Sequence, residues 1–246
     1  MSAPVVTLLA LDTSTEVVCL GLHGAHGTDV WEGPGGPQAS LELLPRMQAM
    51  LDARGLRLAH LDALAFGRGP GAFTGLRTAC SVAQGVALGT GCPVIPVDSL
   101  MLVAEQARAE VRALGGPEAV LDIGVAMDAR MGELYAARYG WSDREPGGWA
   151  LRAPPALCSP EDVLACWGGW PAWLTGSGTA LLGRAATPAL QPGSRAAALV
   201  RLGLRLQRAG AAVPAEQALP VYLRDKVALT TAQRAAAAAL QAADPA

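Results

Sequence analysis

The sequence predicts an α/β protein of two related subdomains, and three observations carry that prediction. Residues 62–88 read as strand, glycine loop and helix: the apolar run Ala63-Leu64-Ala65-Phe66 ends at Gly67, four glycines and a proline follow within nine residues, and an Ala/Gly/Val-rich segment runs from Thr74 to Leu88. Two hairpins, at 5–22 and 120–139, share one design of apolar strand, polar turn and apolar return. Between them Gly115-Gly116-Pro117 breaks the pattern, which gives subdomains at 1–114 and 115–225 and an alanine-rich tail at 226–246.

Taken in order, Val5 to Leu11 is β-branched and apolar, Asp12-Thr13-Ser14-Thr15 is a polar turn, and Val17 to Leu22 returns. Gly33 to Gln38 reads as a Gly/Pro loop. Leu41, Leu44, Met47 and Leu51 then recur at helical spacing over about 40–54, with Ser40 as cap and Pro45 in the first turns. That helix is apolar over a wider arc than one core stripe needs, so it offers surplus surface to a partner helix or simply fills core. The helix from Thr74 carries Gly75, Ala79, Ala83, Gly85, Ala87 and Gly89, small residues suited to a sandwiched position.

Pro93 to Val97 is a buried strand, and Ser99 caps a helix to about Leu114. Beyond the second hairpin, Arg144 to Pro155 reads as a loop-rich excursion and Ser159-Pro160-Glu161-Asp162 as a capped helix start. Ala172 to Thr175 leads into a second glycine loop, Gly176-Ser177-Gly178. Ser194 to Arg208 is a helix with Leu199, Leu202 and Leu206 on one side; it is expected to pack back on the first subdomain, with Arg195, Arg201, Arg205 and Arg208 as a solvated face rather than an RNA site. Pro220 to Asp225 is a compact segment able to return across the body, and the tail from Thr230 is expected to fray or form a lone helix.

Composition excludes several classes. Of 246 residues, 51% are hydrophobic and 16% charged, with net charge −2, so the core is ample and no broad basic field exists for nucleic acid. Two Phe and three Tyr supply few stacking platforms. Any RNA would therefore be carried by a partner. Five cysteines without Cys-x-x-Cys spacing read as reduced, mostly buried thiols. The N-terminus lacks a basic region before its apolar run, and no stretch reaches a membrane span, which predicts a cytoplasmic protein without a membrane partner.

The glycine loop fails two familiar templates. A P-loop needs a lysine after its last glycine, yet Lys226 is the only lysine in the chain; a dinucleotide loop needs a third glycine where Ala72 stands. What is left is an anion cradle at the following helix N-terminus or a tight ligand-free turn. The Asp12–Thr15 turn holds the same two options, phosphate with magnesium or local turn chemistry. Asp12, Asp98 and Asp128 lie near strand ends, as a cleft between two sheets would place them. His23, His26 and His60 form no metal spacing, and no acyl-transfer constellation appears.

Several blocks resemble one family. Leu11-Asp12-Thr13-Ser14-Thr15, Ala65-Phe66-Gly67-Arg68-Gly69-Pro70-Gly71-Ala72-Phe73-Thr74-Gly75-Leu76-Arg77, Val82-Ala83-Gln84-Gly85, Met127-Asp128-Ala129-Arg130-Met131-Gly132-Glu133-Leu134-Tyr135 and Pro220-Val221-Tyr222-Leu223-Arg224 are similar to bacterial TsaB, also called YeaZ. The resemblance covers 5 to about 139 and touches the C-terminal segment. It implies the actin/Hsp70/sugar-kinase-like (ASKHA) fold, two subdomains with mixed five-stranded-type sheets flanked by helices. It also implies a non-catalytic scaffold in the formation of N6-threonylcarbamoyladenosine next to the anticodon of tRNAs.

In that system a TsaD-like transferase pairs with the scaffold, a TsaE-like ATPase joins them, and tRNA is met only through the complex. The resemblance implies no metal and no cofactor for the scaffold itself, ATP or ADP belonging to the complex. Carried onto this chain, the pairing surface is the first two helices, with Leu41, Leu44, Met47, Met50, Leu51, Arg77 and Ala79; the same surface is expected to form a homodimer when the partner is absent. The nucleotide or anion candidates are Asp12, Thr13, Ser14, Gly69, Gly71, Thr74 and Gly75. Where many relatives have a His-Ser/Thr-Gln/Glu segment, this chain has Ala39-Ser40-Leu41. The competing function is a small ASKHA-type ATPase or phosphotransferase acting alone.

Overall fold

The computed structural model describes residues 5–36, 39–113, 120–183 and 193–224. Two sheets organise them. The first holds β1 (Leu8–Asp12), β2 (Val17–Gly24), β3 (Gly27–Pro34), β4 (Ala63–Gly69) and β5 (Val94–Asp98) in the order β3-β2-β1-β4-β5. β1, β2 and β3 run antiparallel through short turns. β4 and β5 add in parallel to β1, as strands joined by helical crossovers must. Those crossovers are α1 (Ala39–Asp52) and α2 (Phe73–Thr90).

The second sheet holds β6 (Val120–Asp128), β7 (Leu134–Ser142), β8 (Trp149–Cys158) and β9 (Trp173–Thr175) in the order β8-β7-β6-β9. It repeats the first order with one strand fewer, so among the described residues the second sheet is four-stranded, not five-stranded. α3 (Ser99–Ala113) and α5 (Arg195–Arg208) lie in the core that joins the two sheets, where Leu8, Ile95, Leu102, Ile123, Tyr139 and Leu199 meet. α1 and α2 cover the other face of the first sheet, over Leu9, Leu20 and Phe66. α4 (Val163–Trp167) closes a smaller core with Leu134 and Leu174.

Two strands escape sequence reading for one reason, proline. β3 runs through Gly33 and Pro34, where a loop was expected, and β8 occupies much of the expected excursion at 144–155. Both are edge strands, where a missing N–H removes no ladder bond. Pro154 and Pro155 fall in the register shift between Ala136 and Arg138 of β7, so the bulge absorbs them.

Helix ends also differ in detail. Ser40 falls inside α1, and its side chain lies outside the described residues. α3 is capped by Asp98 rather than Ser99: Asp98 Oδ1 accepts from the N–H of Leu100 at 2.8 Å and of Met101 at 3.2 Å. Ser99 Oγ instead accepts from Gly69 N–H at 3.1 Å. α5 is capped by Ser194, whose Oγ accepts from Ala197 N–H at 3.1 Å.

The expected boundary at 114/115 lies outside the described residues, as does the tail 226–246. α5 packs on β1 and β2 of the first sheet. The segment after it, assigned by sequence to the second subdomain, also runs along the first. Val94 and Val213 exchange backbone hydrogen bonds of 2.9 and 2.8 Å, and Ala218 is buried in the core under α1 and α2.

Candidate functional site

Parallel strands end on one side of a sheet, so β1, β4 and β5 bring Asp12, the glycine loop and Asp98 together. Ser14 N–H donates to Asp12 Oδ1 at 2.7 Å, which is an Asx turn. Asp12 Oδ2 accepts from Arg195 Nη2 at 2.6 Å and Nε at 3.0 Å, and both side chains are buried. Thr13 Oγ1 donates to the Gly75 carbonyl at 2.6 Å, and Ala72 N–H donates to the Ser14 carbonyl at 2.8 Å. The glycine loop therefore packs directly against the Asp12–Ser14 turn. A Cβ at Gly75 would collide with the Thr13 carbonyl oxygen, and one at Gly67 with the Asp12 carboxylate.

Of the anion candidates, Asp12, Thr13, Ser14, Gly69, Gly71 and Gly75 are thus assembled, and Thr74 is exposed at the start of α2. Gly75→Ala is expected to destabilise the fold by about 2–3 kcal/mol, the scale of overpacking a tight contact, read as a lower urea midpoint. An unchanged midpoint would contradict the close approach of α2 to the first turn.

Arg195 was read as solvated, and the structure corrects that. Its guanidinium is enclosed by Asp12, Ser14 and Gln106. A signal was available: a cation in the first turn of a helix opposes the macrodipole, and its cost is offset by a carboxylate partner. Arg201 and Arg205 are also engaged, Arg201 with Glu105 and Arg205 against the Trp141 ring. Arg208 alone of the four is exposed as expected.

Asp98 and Asp128 serve their own loops. Burial pushes the Asp98 carboxyl above its usual range against three donors, the N–H groups of Leu100 and Met101 and the Tyr139 hydroxyl at 3.0 Å. Asp128 Oδ1 accepts from Arg130 N–H at 2.7 Å. Arg130 also pairs with Glu16 at 2.5 Å, from the tip of one hairpin to the tip of the other.

The segment 220–224 crosses between the subdomains. Val221 N–H donates to the Arg68 carbonyl at 2.7 Å, the Tyr222 ring packs 5.2 Å from Phe73, and Arg224 reaches Glu133 at 2.6 Å. Asp225 lies outside the described residues.

The first two helices divide differently from the sequence reading. Leu43, Met47 and Leu51, at i, i+4 and i+8, form the stripe that α1 buries on the sheet. Met47 and Leu51 are therefore core, and so is Ala79 on α2. Leu41 and Leu44 face outward, 73% and 49% exposed, while Met50 is half-buried against the core that Leu43, Met47 and Leu51 enter. On α2, Leu88 is 76% exposed, and Gly85 and Gly89 have open space where a side chain would be. The sandwiched face of α2 is thus Ala79, Ala83 and Ala87, while Gly85 and Gly89 line a shallow groove with Gln48 and Leu58. Arg77 is exposed, its guanidinium 3.9 Å over the Phe73 ring.

Among the described residues no group of three or more His, Cys, Asp or Glu is placed to hold a metal ion, and no described helix is long and apolar enough to cross a membrane.

Comparison with known proteins matches these elements. The family model for TsaD, tRNA N6-adenosine threonylcarbamoyltransferase, matches residues 38–167, from α1 to α4. The tRNA threonylcarbamoyladenosine biosynthesis protein TsaB of Escherichia coli (strain K12) is 33% identical over 236 residues, 90% of this chain and 96% of that relative. The chain belongs to the TsaB family. The TsaB of Haemophilus influenzae is 38% identical over 164 residues, 64% of this chain and 66% of its own. Among solved structures, YeaZ from Pseudomonas aeruginosa superposes with a TM-score of 0.74 at 34% identity, covering 89% of this chain and all of that one. TsaB membership places the chain in tRNA threonylcarbamoyladenosine biosynthesis and makes its two sheets those of the actin and sugar-kinase-like fold.

Proposed function

We propose that the chain is a non-catalytic scaffold subunit of the complex that forms N6-threonylcarbamoyladenosine next to the anticodon of tRNAs. It pairs with the TsaD-type transferase subunit through the outer face of α1 and α2, a TsaE-like ATPase joins the pair, and tRNA is engaged within the assembly. The observation that carries this reading is that face. Leu41 and Leu44 of α1 and Leu88 of α2 stand exposed, and Gly85 and Gly89 of α2 have open space where a side chain would be. Single exposed leucines are ordinary, but Leu88 three residues from Gly85 and next to Gly89 offers apolar contact and close backbone approach together. Burying three leucines would contribute about 1.5–3 kcal/mol each. In the absence of the partner, a second copy would occupy the same face.

The non-catalytic part is supported by Asp12. A magnesium–phosphate role needs that carboxylate to face a ligand, and its Oδ2 is held by Arg195 inside the protein. The alternative, an ATPase or phosphotransferase acting alone, would have to displace Arg195.

Light scattering with size exclusion of this chain, alone and mixed with the TsaD-type protein of the same organism, followed by a tRNA threonylcarbamoylation assay, tests the reading. A mixed complex that modifies tRNA only when both chains are present is the expected result. Chains that stay apart, with modification proceeding without this one, would overturn it. ATP turnover by the isolated chain, lost in Asp12→Ala, would establish the alternative.

A further inference from the structure

Glu105 of α3 is fully buried and collects an unusual number of cations. It accepts from Arg108 Nε at 3.1 Å and Nη2 at 3.0 Å, from Trp149 Nε1 at 3.0 Å and from Arg201 Nε at 2.9 Å. Burial alone would push this carboxyl up, yet those donors hold it below the usual range. Its acceptor capacity is therefore taken. Arg205 is left 3.9 Å away, and its guanidinium makes no hydrogen bond among the described residues.

Arg205 is not loose, however. It lies 4.3 Å over the ring of Trp141, whose ring Arg108 also covers at 4.0 Å. Burial first, then the like charges of Arg108 and Arg201, hold Arg205 below the usual guanidinium range despite Glu105 and Asp143. Three guanidiniums thus surround one saturated carboxylate, and the further negative charge acting on Arg205 is that of Asp143. Arg205 Nη1 is buried without a hydrogen-bond partner, while the side chain as a whole is 28% exposed; stacking uses the face of a guanidinium, so the exposed part of the group is pre-oriented for an anion.

Two of the three remain accessible: the side chains of Arg201 and Arg205 are 39% and 28% exposed. Arg208, exposed one turn further on, continues the same stripe at i, i+4 and i+7. Helical rise separates successive members by about 4.5–6 Å along the axis, which suits anionic groups repeated along a polymer better than one small ion. We propose that Arg201, Arg205 and Arg208 of α5 contact the phosphate backbone of the tRNA, so that this chain itself touches the RNA within the assembly. The choice of RNA rests on the proposed function. Trp141 and Trp149 are buried and cannot stack bases. The contact is therefore to phosphates, salt-dependent and indifferent to base sequence.

The test is fluorescence anisotropy of a labelled, unmodified tRNA transcript titrated with the complex of the full chain and its TsaD-type partner, at several salt concentrations. Arg205→Gln and Arg208→Gln should each weaken binding about three- to tenfold and lower the log–log salt slope by about one, whereas Arg205→Lys keeps most of the slope. Variants that pair normally and bind tRNA with unchanged affinity and slope would overturn the contact. So would Arg205→Gln that loses pairing while RNA affinity holds, since the stripe would then serve an acidic protein surface. If the wild-type chains do not pair, the scaffold reading fails by itself. The isolated chain titrated with the same RNA then decides the contact: weaker binding by Arg205→Gln supports it, and equal binding overturns it.

Discussion

Leu41→Asp combined with Leu44→Asp is expected to abolish pairing with the TsaD-type subunit, lowering affinity about a hundredfold or more, while the thermal midpoint of the isolated chain stays where it was. Both leucines are exposed on the outer side of α1, so the free protein loses little. In a complex the same positions would be dehydrated. An aspartate there loses apolar burial and adds a charge without a partner, and about 2.8 kcal/mol already corresponds to a hundredfold. Isothermal titration with the partner reads the first effect and a circular-dichroism melt the second.

Met47→Asp is the control that makes the experiment sharp. It lies on the same helix but is 4% exposed in the core beside Leu43 and Leu51, so it should unfold the chain rather than spare it. Pairing that survives the double aspartate would remove the outer face of α1 from the interface. A Met47→Asp chain that folds normally would remove the stated packing of α1.

Arg195→Met is expected to cost about 3–5 kcal/mol of unfolding free energy, because it leaves the Asp12 carboxylate buried without its cation. That is a large part of the roughly 5–15 kcal/mol that holds an ordinary domain together. The pair is enclosed on every side: Asp12 belongs to β1, Arg195 to α5, and Gln106 of α3 lies 3.4 Å from the guanidinium. Urea unfolding near neutral pH measures the loss.

Arg195→Met with Asp12→Leu should recover most of it, since replacing both partners of a buried pair by apolar groups is often close to neutral. Failure of the double variant to recover would mean that the hydrogen bonds to Ser14 matter beyond charge neutralisation. A single variant as stable as the parent would show that the ion pair contributes nothing to the fold.

Much of the architecture is legible locally. The β1–β2 hairpin, the strand–glycine loop–helix unit, the β6–β7 hairpin and the helical span of α5 all follow from patterns within a few turns of themselves. β3 and β8 were missed because glycine and proline speak for loops unless the strand is known to lie at an edge, and edge position is a property of the sheet. The Asp12–Ser14 turn was visible as a polar insertion between strands. That Arg195 pairs with Asp12 was not, because that residue lies 183 positions away.

The outer face of α1 shows the same division. Helical spacing marks Leu41, Leu43, Leu44, Met47, Met50 and Leu51 as apolar, and periodicity alone cannot say which arc meets the sheet. Sequence by itself determined the two-subdomain α/β class and the strand–glycine loop–helix unit, because glycine spacing and hydrophobic period act through neighbours in the chain, and its motif blocks carried the resemblance to the family. Tertiary structure decided that Met47, Leu51 and Ala79 are core, that Arg195 neutralises Asp12, and that the arginines of α5 crowd one carboxylate. Those facts depend on burial and on charges brought together from distant segments, and neither leaves a local pattern to read.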